Sequence, residues 1–194
     1  MGATARRLLL TLLPAVAVIA VLAFGLMKSS PTAVTPGSEV PAFELETLNG
    51  DDLSSEDLRG HPVVLNFWAS WCASCSSEFP ALERVWKEFR DDGLIVVGVN
   101  IRDAESAARR YTSEYGVSFP VVRDEQLELV RELGVVGVPE TYFIDHEWRF
   151  VTALSGARQG TQQGTVVLGP ISEEALLENV EVLLRRAASG RSSP

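Results

Sequence analysis

The feature that most constrains this chain is a pair of cysteines, Cys72 and Cys75, which are the only two among its 194 residues. Cysteines separated by two residues can form a small disulfide ring and be reduced again. The segment before them, residues 63–68, is apolar and rich in β-favouring residues, which predicts a buried strand. After them, apolar residues recur at helical spacing: Phe79, Leu82, Trp86 and Phe89. The pair is therefore predicted at a strand-to-helix turn, with the helix beginning at about Cys72, where free N–H groups and the helix dipole stabilise a thiolate.

Two other uses of a cysteine pair fit this sequence less well. A structural disulfide stabilises most when it closes a long loop, and this pair closes a very short one. A zinc site needs about four ligands. The other candidate ligands, His61 and His146, are far apart in the sequence and are predicted as surface residues in turns. We therefore expect redox chemistry of the two sulfurs, with no metal and no other cofactor.

Two motifs resemble a known family. Residues 65–80, Leu-Asn-Phe-Trp-Ala-Ser-Trp-Cys-Ala-Ser-Cys-Ser-Ser-Glu-Phe-Pro, are similar to the active-site segment of the membrane-tethered thioredoxin-like proteins of bacteria, the TlpA/ResA/CcmG (DsbE) family. Residues 137–145, Gly-Val-Pro-Glu-Thr-Tyr-Phe-Ile-Asp, are similar to the segment that carries the cis-proline of thioredoxin folds. The resemblance covers roughly residues 40–155, with a matching helix beyond.

The resemblance implies both a fold and an activity. The fold is of the α/β class: a thioredoxin-like central mixed β-sheet flanked by helices, with an N-terminal hairpin extension. The activity is that of a thiol-disulfide oxidoreductase that reduces disulfides outside the cytoplasm, above all during cytochrome c maturation.

The order of residues around the cysteines assigns their roles. Cys72 is the expected attacking thiolate, and Cys75 is the resolving thiol that closes the Cys72–Cys75 disulfide and releases the partner. Trp71 flanks the attacking sulfur and is a candidate for substrate binding. The dipeptide between the sulfurs, Ala73-Ser74, carries no charge that would over-stabilise the thiolate. The pair is therefore predicted to favour reduction of its substrate over oxidation.

Glu78 is the third candidate catalytic residue. It lies three residues after Cys75, on the same side of the predicted helix. A carboxylate there would raise the thiol pKa values and could accept the proton of Cys75. Asn66 supports this assignment, because ordinary thioredoxins have at this position a buried aspartate implicated in proton transfer, and an amide cannot take a proton. The resemblance to the ResA-like branch gives that role to Glu78, and the alternative is a solvated glutamate in a first helical turn.

The second motif provides the remaining candidates for substrate binding. X–Pro bonds are cis in only ~5% of cases, so the cis bond at Val138–Pro139 is implied by the resemblance alone, which also places it against the disulfide. Such a bond leaves the Val138 backbone free to pair with an extended substrate strand. Glu140 resembles the glutamate that follows the cis-proline in the cytochrome c maturation branch. The alternative for Glu140 is an exposed charge at the start of a strand.

The N-terminal segment predicts the compartment. Arg6 and Arg7 precede twenty uncharged residues, Leu8 to Met27, which Lys28 follows. This length spans the ~30 Å of a bilayer core as a helix. An uncleaved transmembrane helix with the redox domain on the extracytoplasmic, periplasmic side of the cell membrane is therefore expected. A cleaved signal peptide is the alternative.

The chain is accordingly divided into four predicted parts. They are a cytoplasmic start and transmembrane anchor (1–28), a tether (29–39), a thioredoxin-like redox domain (40–188) and a disordered tail (189–194). About 150 residues are enough for one compact domain. Within it, Asp103 is predicted to cap a helix, residues 141–144 are predicted to pair with residues 149–154, and residues 157–169 are predicted to form a loop.

The charge and the resemblance together indicate the partners. Without the three basic residues that flank the anchor, 14 basic residues face 26 acidic ones, a net charge of −12. Such a domain is not expected to bind nucleic acid or anionic lipid. The resemblance implies oxidised protein thiols, such as those of apocytochrome c, and a membrane-embedded electron donor of the CcdA/DsbD type. The alternatives are a general disulfide oxidase, a peroxide-linked thioredoxin-like protein, and a non-catalytic assembly factor that binds peptides.

Overall fold

The computed structural model describes residues 34–152 and 164–191. The predicted transmembrane anchor and residues 28–33, 153–163 and 192–194 lie outside these ranges. Across the described ranges, none of the helices combines the length and the apolar character that crossing a bilayer would require.

The described elements alternate between strands and helices. In chain order they are β1 (Glu44–Glu46), β2 (Asp52–Ser54), α1 (Ser55–Leu58), β3 (Val63–Trp68), α2 (Phe79–Phe89), β4 (Ile95–Asn100), α3 (Glu105–Glu114), β5 (Val121–Arg123), α4 (Glu128–Leu133), β6 (Glu140–Ile144), β7 (Val166–Leu168) and α5 (Glu173–Arg191).

The central sheet of the described region has the strand order β5-β4-β3-β6-β7. β3 is in the middle, parallel to β4 and antiparallel to β6, while β5 continues the parallel half and β7 the antiparallel half. The predicted mixed sheet with flanking helices is therefore confirmed. All six side chains of β3 are buried, as expected for a central strand that is covered on both faces.

Two apolar clusters cover the two faces of the sheet. One contains Val64 and Trp68 of β3 together with residues of α2 and α5. The other contains Leu65 and Phe67 with residues of α1 and α4. Because strand side chains alternate between faces, Asn66 lies on the same face as Val64 and Trp68. This register directs a buried amide toward the helix that follows the cysteines.

β1 and β2 form an antiparallel pair next to the outer strand β5. Thr47, in the connection after β1, forms a bridge with Val122, and the Leu48 N–H donates to the Val121 carbonyl at 2.9 Å. Gly50 takes a positive φ of 90° in the turn, a conformation that glycine adopts without steric penalty. The pair thus covers part of one edge of the sheet.

The described part of the predicted tether is packed against the domain. Val34 is buried in the second cluster. The Gly37 N–H donates to the Phe150 carbonyl at 2.8 Å, and the Phe150 N–H donates to the Ser38 carbonyl at 3.0 Å. Residues 34–39 are therefore not free chain, because their backbone groups are bonded to Phe150 and the Val34 side chain is packed in the second cluster.

At the other end of the domain, the last helix extends beyond residue 188, where the predicted disordered tail begins. α5 continues through Ser189 to Arg191. The Ser189 hydroxyl donates to the Arg186 carbonyl at 2.8 Å, and Gly190 approaches the His146 ring so closely that a Cβ would lie inside van der Waals contact. Local hydrogen bonding and the absence of a side chain at Gly190 allow the helix to extend over a segment of Gly and Ser.

The strand next to β6 also differs from the prediction. Residues 149–152 contact the end of β6 through a single bridge, Ile144 with Phe150, while Arg149 bridges to Glu39. Two backbone bonds close this short pair, from the Asp145 N–H to the Arg149 carbonyl at 2.9 Å and from the Val151 N–H to the Phe143 carbonyl at 2.8 Å. The partner that pairs along β6 is β7, which lies inside the segment predicted as a loop. A three-residue apolar strand next to Gly and Gln residues is too short to show a recognisable period.

Candidate active site

The cysteines lie in a series of tight turns between β3 and α2. The Cys72 N–H donates to the Ala69 carbonyl at 3.1 Å, and a 3₁₀ turn spans Cys75–Ser77. α2 begins at Phe79, so the predicted helix from about Cys72 starts later than expected. The reason is that the backbone bonds here join residues three apart, such as Glu78 N–H to the Cys75 carbonyl at 3.3 Å.

The two sulfurs are joined in the predicted disulfide, and their environments differ. The Cα atoms of Cys72 and Cys75 are 5.4 Å apart, within the range that a disulfide can bridge. Cys72 retains 6% of its surface, whereas Cys75 is fully buried. The Cys75 N–H donates to the Cys72 sulfur at 3.2 Å, and the Ser74 hydroxyl lies 3.6 Å from the same sulfur. Access and hydrogen bonding therefore both favour Cys72 as the reacting sulfur.

Glu78 is buried and belongs to a hydrogen-bonded network. Its Oε1 accepts from the Asn66 amide at 2.9 Å, and its Oε2 accepts from the Ile171 N–H at 3.0 Å. Burial raises the pKa of Glu78 to about 7, against the opposing effect of these two bonds. The alternative of a solvated glutamate is therefore wrong. A carboxyl group with this pKa can take up and release a proton near neutral pH.

Asn66 connects Glu78 to the strand that follows the second motif. Its amide also donates to the Thr141 hydroxyl at 3.0 Å, and β3 and β6 pair in register at these two residues. Within the described ranges, the Asn66 side-chain oxygen is buried and has no hydrogen-bond partner. The network thus joins β3, the residue that precedes α2, β6 and the segment before α5.

The second motif contains the cis peptide bond that the resemblance implies, at Val138–Pro139. Val138 packs against the apolar cluster that includes both cysteines. Glu140 is buried rather than exposed. Its Oε1 accepts from the N–H groups of Val136 and Gly137 at 2.8 and 2.9 Å, and its Oε2 accepts from the Tyr142 hydroxyl at 2.9 Å.

These contacts contradict the alternative that Glu140 is an exposed charge at the start of a strand. Its carboxylate lies in the interior and accepts from three donors. Burial raises its pKa, although the three hydrogen bonds oppose this. Glu140 instead fixes the backbone of the loop that leads into the cis-proline.

Two large apolar side chains are exposed among the described residues: one lies in the first motif, and the other directly precedes the second. Trp71 exposes 58% of its surface and Val136 exposes 81%. Trp71 was a candidate from the sequence. Val136 was not, because nothing in its local pattern distinguishes it from a loop residue.

A second turn contacts the segment before the cysteines. The Trp71 indole N–H donates to the Arg102 carbonyl at 2.9 Å. Asp103, predicted as a helix cap, instead accepts from the Ser70 N–H at 2.6 Å and from the Ser70 hydroxyl at 2.8 Å. The residue before α3 is Ala104, which makes no side-chain cap. The Asp103 carboxylate is therefore directed toward the cysteine segment, 33 residues earlier.

The histidines lie apart from the cysteines in sequence and differ in exposure. His61 is exposed, as predicted, with its Nδ1 3.0 Å from the Gly93 carbonyl oxygen. His146 is half-buried rather than a surface residue, because the end of α5 packs on its ring. In the residues that the structure describes, no group of three or more His, Cys, Asp or Glu side chains is placed to hold a metal ion.

Comparison with known proteins gives three consistent similarities. Residues 36–152 match the AhpC/TSA family. The chain is 36% identical over 124 residues to the thiol-disulfide oxidoreductase ResA of Bacillus subtilis (strain 168), covering 64% of this chain and 69% of ResA. It is 40% identical over 111 residues to the thiol:disulfide interchange protein DsbE of Pseudomonas fluorescens biotype C, covering 56% of this chain and 60% of DsbE.

The fold is also similar to a solved structure. The crystal structure of a thiol:disulfide interchange protein of the thioredoxin family from Chlorobium tepidum TLS superimposes with a TM-score of 0.65 and 25% sequence identity. The match covers 76% of this chain and 97% of that protein. This similarity confirms the predicted thioredoxin-like fold.

Proposed function

Because the chain belongs to the AhpC/TSA family and is a thiol-disulfide oxidoreductase, we propose that it reduces oxidised cysteines of protein substrates outside the cytoplasm. The proposed substrate is apocytochrome c or a similar protein with a disulfide in a flexible segment. Two of its relatives are named ResA and DsbE, and the resemblance of its motifs links that group to cytochrome c maturation.

The observation that carries this proposal is the asymmetry of the cysteine pair. Cys72 is the sulfur that solvent and substrate can reach, and Cys75 is enclosed. The hydrogen bonds to the Cys72 sulfur would stabilise negative charge on it once the disulfide is reduced. A buried resolving thiol next to a stabilised, accessible thiolate is the arrangement that thiol–disulfide exchange requires.

The proposed reaction has two exchange steps. The Cys72 thiolate attacks a substrate disulfide, forms a mixed disulfide and releases one substrate thiolate, which takes a proton from water. Cys75 then loses its proton and attacks the Cys72 sulfur, which releases the second substrate thiolate. Two electrons pass from the dithiol to the substrate, and the Cys72–Cys75 disulfide is the product seen in the structure.

Glu78 is proposed to accept the proton of Cys75 in the second step. Its pKa of about 7 lets the ionised and protonated forms interchange near neutral pH. The same burial that raises this pKa keeps water from stabilising the carboxylate. Glu78 is thus a stronger base than a solvated glutamate would be.

Two segments are proposed to receive the substrate. The Val138 backbone, before the cis-proline, would pair with an extended substrate strand. Trp71 and Val136 offer exposed apolar surface on either segment, which suits the apolar side chains of an unfolded substrate. Glu140 contributes by holding the Val136–Gly137 backbone in place.

The proposed direction of electron flow is toward the substrate. The Ala73-Ser74 dipeptide carries no charge that would over-stabilise the thiolate form, so the reduced protein is expected to give up its electrons readily. A membrane-embedded donor of the CcdA/DsbD type would then reduce the Cys72–Cys75 disulfide again. The proposed anchor over residues 8–27 would keep the domain near that donor.

The test is the reduction potential together with trapping of the intermediate. In defined dithiothreitol or glutathione buffers, we expect a potential closer to thioredoxin, about −270 mV, than to the oxidant DsbA, about −120 mV. Cys75→Ser should accumulate mixed disulfides through Cys72, because attack remains and resolution is lost. A potential near that of DsbA would indicate an oxidase. A protein that forms no mixed disulfide in either single cysteine variant would be a binding factor.

A further inference from the structure

We propose that Asp103 is a positioning residue, which holds the segment before the cysteines so that Trp71 is fixed for the encounter with a protein substrate. The inference rests on the proposed function, because it assigns the substrate contact to Trp71 and the attack to Cys72. It adds the element that keeps this contact in place, namely the turn between β4 and α3.

The first support is the double contact of Asp103 with one residue. Oδ2 accepts from the Ser70 N–H at 2.6 Å, and Oδ1 accepts from the Ser70 hydroxyl at 2.8 Å. The Asn100 amide donates to Oδ2 at 3.0 Å and orients the carboxylate from the end of β4. Burial opposes ionisation of Asp103, but these bonds and one from the Ala104 backbone outweigh it and hold its pKa below the usual value. The contact is therefore charge-assisted and present at neutral pH.

The second support is the backbone of the neighbouring residue. Arg102 has a positive φ of 49°, a conformation that is unfavourable for a residue with a side chain and persists only where the surroundings enforce it. Its carbonyl accepts the Trp71 indole N–H at 2.9 Å. The strained residue and the carboxylate are adjacent, and they bind adjacent residues of the cysteine segment.

The third support is the exposure of Trp71. A side chain with more than half of its surface in solvent has little packing to restrict its rotamers. Ordering such a side chain when a partner binds opposes association. Because the Arg102 carbonyl already holds the indole, and Asp103 holds the backbone next to it, that ordering is complete before the substrate arrives.

Action through Trp71 predicts a selective effect. A peptide substrate that contacts the indole should react more slowly when Asp103 is changed. A small disulfide that meets only the sulfur should not. If Asp103 instead acted on the Cys72 sulfur or on the whole fold, both substrates would be affected alike.

The experiment uses the full chain in its reduced form and measures second-order rate constants with two oxidants. One is an oxidised synthetic peptide with a Cys-X-X-Cys-His disulfide, and the other is hydroxyethyl disulfide. Asp103→Asn should lower the rate with the peptide by about 2- to 10-fold, the range expected for ordering one side chain. The rate with hydroxyethyl disulfide should change by less than about 2-fold, because binding the indole contributes nothing to that reaction.

A matched control exists in the same domain. Glu83 accepts from the Ser118 N–H at 2.8 Å and from the Ser118 hydroxyl at 2.6 Å, so Glu83→Gln disturbs the same kind of contact away from the cysteine segment. It should leave both rate constants unchanged. Ser70→Ala, which removes only the hydroxyl bond and keeps the backbone bond, should show a smaller loss that is again confined to the peptide.

A double-mutant cycle decides the mechanism. In the Trp71→Ala background, Asp103→Asn should have no further effect on the peptide rate. Additive losses, or equal losses with both oxidants, would overturn the positioning role. If the unaltered protein reduces the peptide no faster than Cys72→Ser does, the proposed function itself fails, and the role of Asp103 fails with it.

Discussion

The free energy of unfolding of the oxidised protein is expected to fall as the pH rises toward neutrality, because Glu78 is buried. Glu78→Gln is expected to remove most of this fall. The carboxyl group is fully buried, and its pKa rises from the ordinary 4.5 to about 7 in the folded chain. A difference of that size corresponds to about 3 kcal/mol between the two protonation states. Because the group has no exposed surface, screening by solvent does not reduce this figure appreciably.

The direction of this pH dependence follows from whether the folded or the unfolded chain binds the proton of Glu78 more tightly. Below about pH 4.5, Glu78 is protonated in both the folded and the unfolded chain, and it adds no pH dependence. Between about pH 4.5 and 7, the unfolded chain releases the proton while the folded chain keeps it, so the free energy of unfolding falls as the pH rises. Above about pH 7 the loss is complete and constant.

The assay is urea unfolding of the oxidised protein at pH 4 and pH 8. Gln keeps the shape of the side chain but does not ionise, so the stability of Glu78→Gln relative to the unaltered protein should rise by about 3 kcal/mol between the two pH values. Glu140 also has a raised pKa, but it is present in both proteins and cancels.

The control is an exposed glutamate in a first helical turn. Glu128 opens α4 and is exposed, so Glu128→Gln removes a carboxylate charge without changing a buried group and should alter the stability by no more than a few tenths of a kcal/mol. If Glu78→Gln and Glu128→Gln behave alike, the buried carboxyl group does not titrate near neutrality. The proposed role of Glu78 as a base would then lose its physical basis.

Three further predictions concern single residues. In the reduced protein, Glu78→Gln should also slow the release of the substrate by Cys75, and equal rates of mixed-disulfide resolution would argue against Glu78 as the proton acceptor. Glu140→Ala should lower the free energy of unfolding in urea by about 2–4 kcal/mol, because the Tyr142 hydroxyl, in the interior, and two backbone N–H groups lose this acceptor. Glu140→Gln should cost less, and equal losses would contradict this reason. Gly98→Ala should cost about 1–3 kcal/mol, because its Cβ would lie 3.0 Å from the Trp68 indole nitrogen. An unchanged melting temperature would show that the indole moves freely.

The cysteine segment was predictable because its signals are local. The apolar run of β3, the spacing of Cys72 and Cys75, and the helical period after Phe79 all lie within about 30 residues. Strand and helix periods are properties of such short windows. The late start of α2 was not predictable, because 3₁₀ and α turns differ by one residue in their hydrogen bonds.

The environment of Glu78 could not be read from the sequence. One of its oxygens accepts from Ile171, and the other accepts from Asn66, whose amide also bonds to Thr141. Thr141 and Ile171 follow Glu78 by many residues and belong to an ordinary strand and an ordinary loop. The same holds for Asp103, whose local pattern fits a helix cap equally well. Tertiary contacts decide between such alternatives, and these contacts cannot be read from a single sequence.

The distribution of the Glu78 network along the chain has a consequence for the order in which the protein matures. The disulfide joins residues only three apart, so an unfolded or partly synthesised chain can already close it. The donors to Glu78 span far more of the sequence: the Ile171 N–H comes 93 residues later, and Asn66 bonds to Thr141 across 75 residues. An oxidised cysteine pair therefore says nothing about whether folding is complete. The titration of Glu78 does, because its raised pKa comes from burial, which only the folded chain provides.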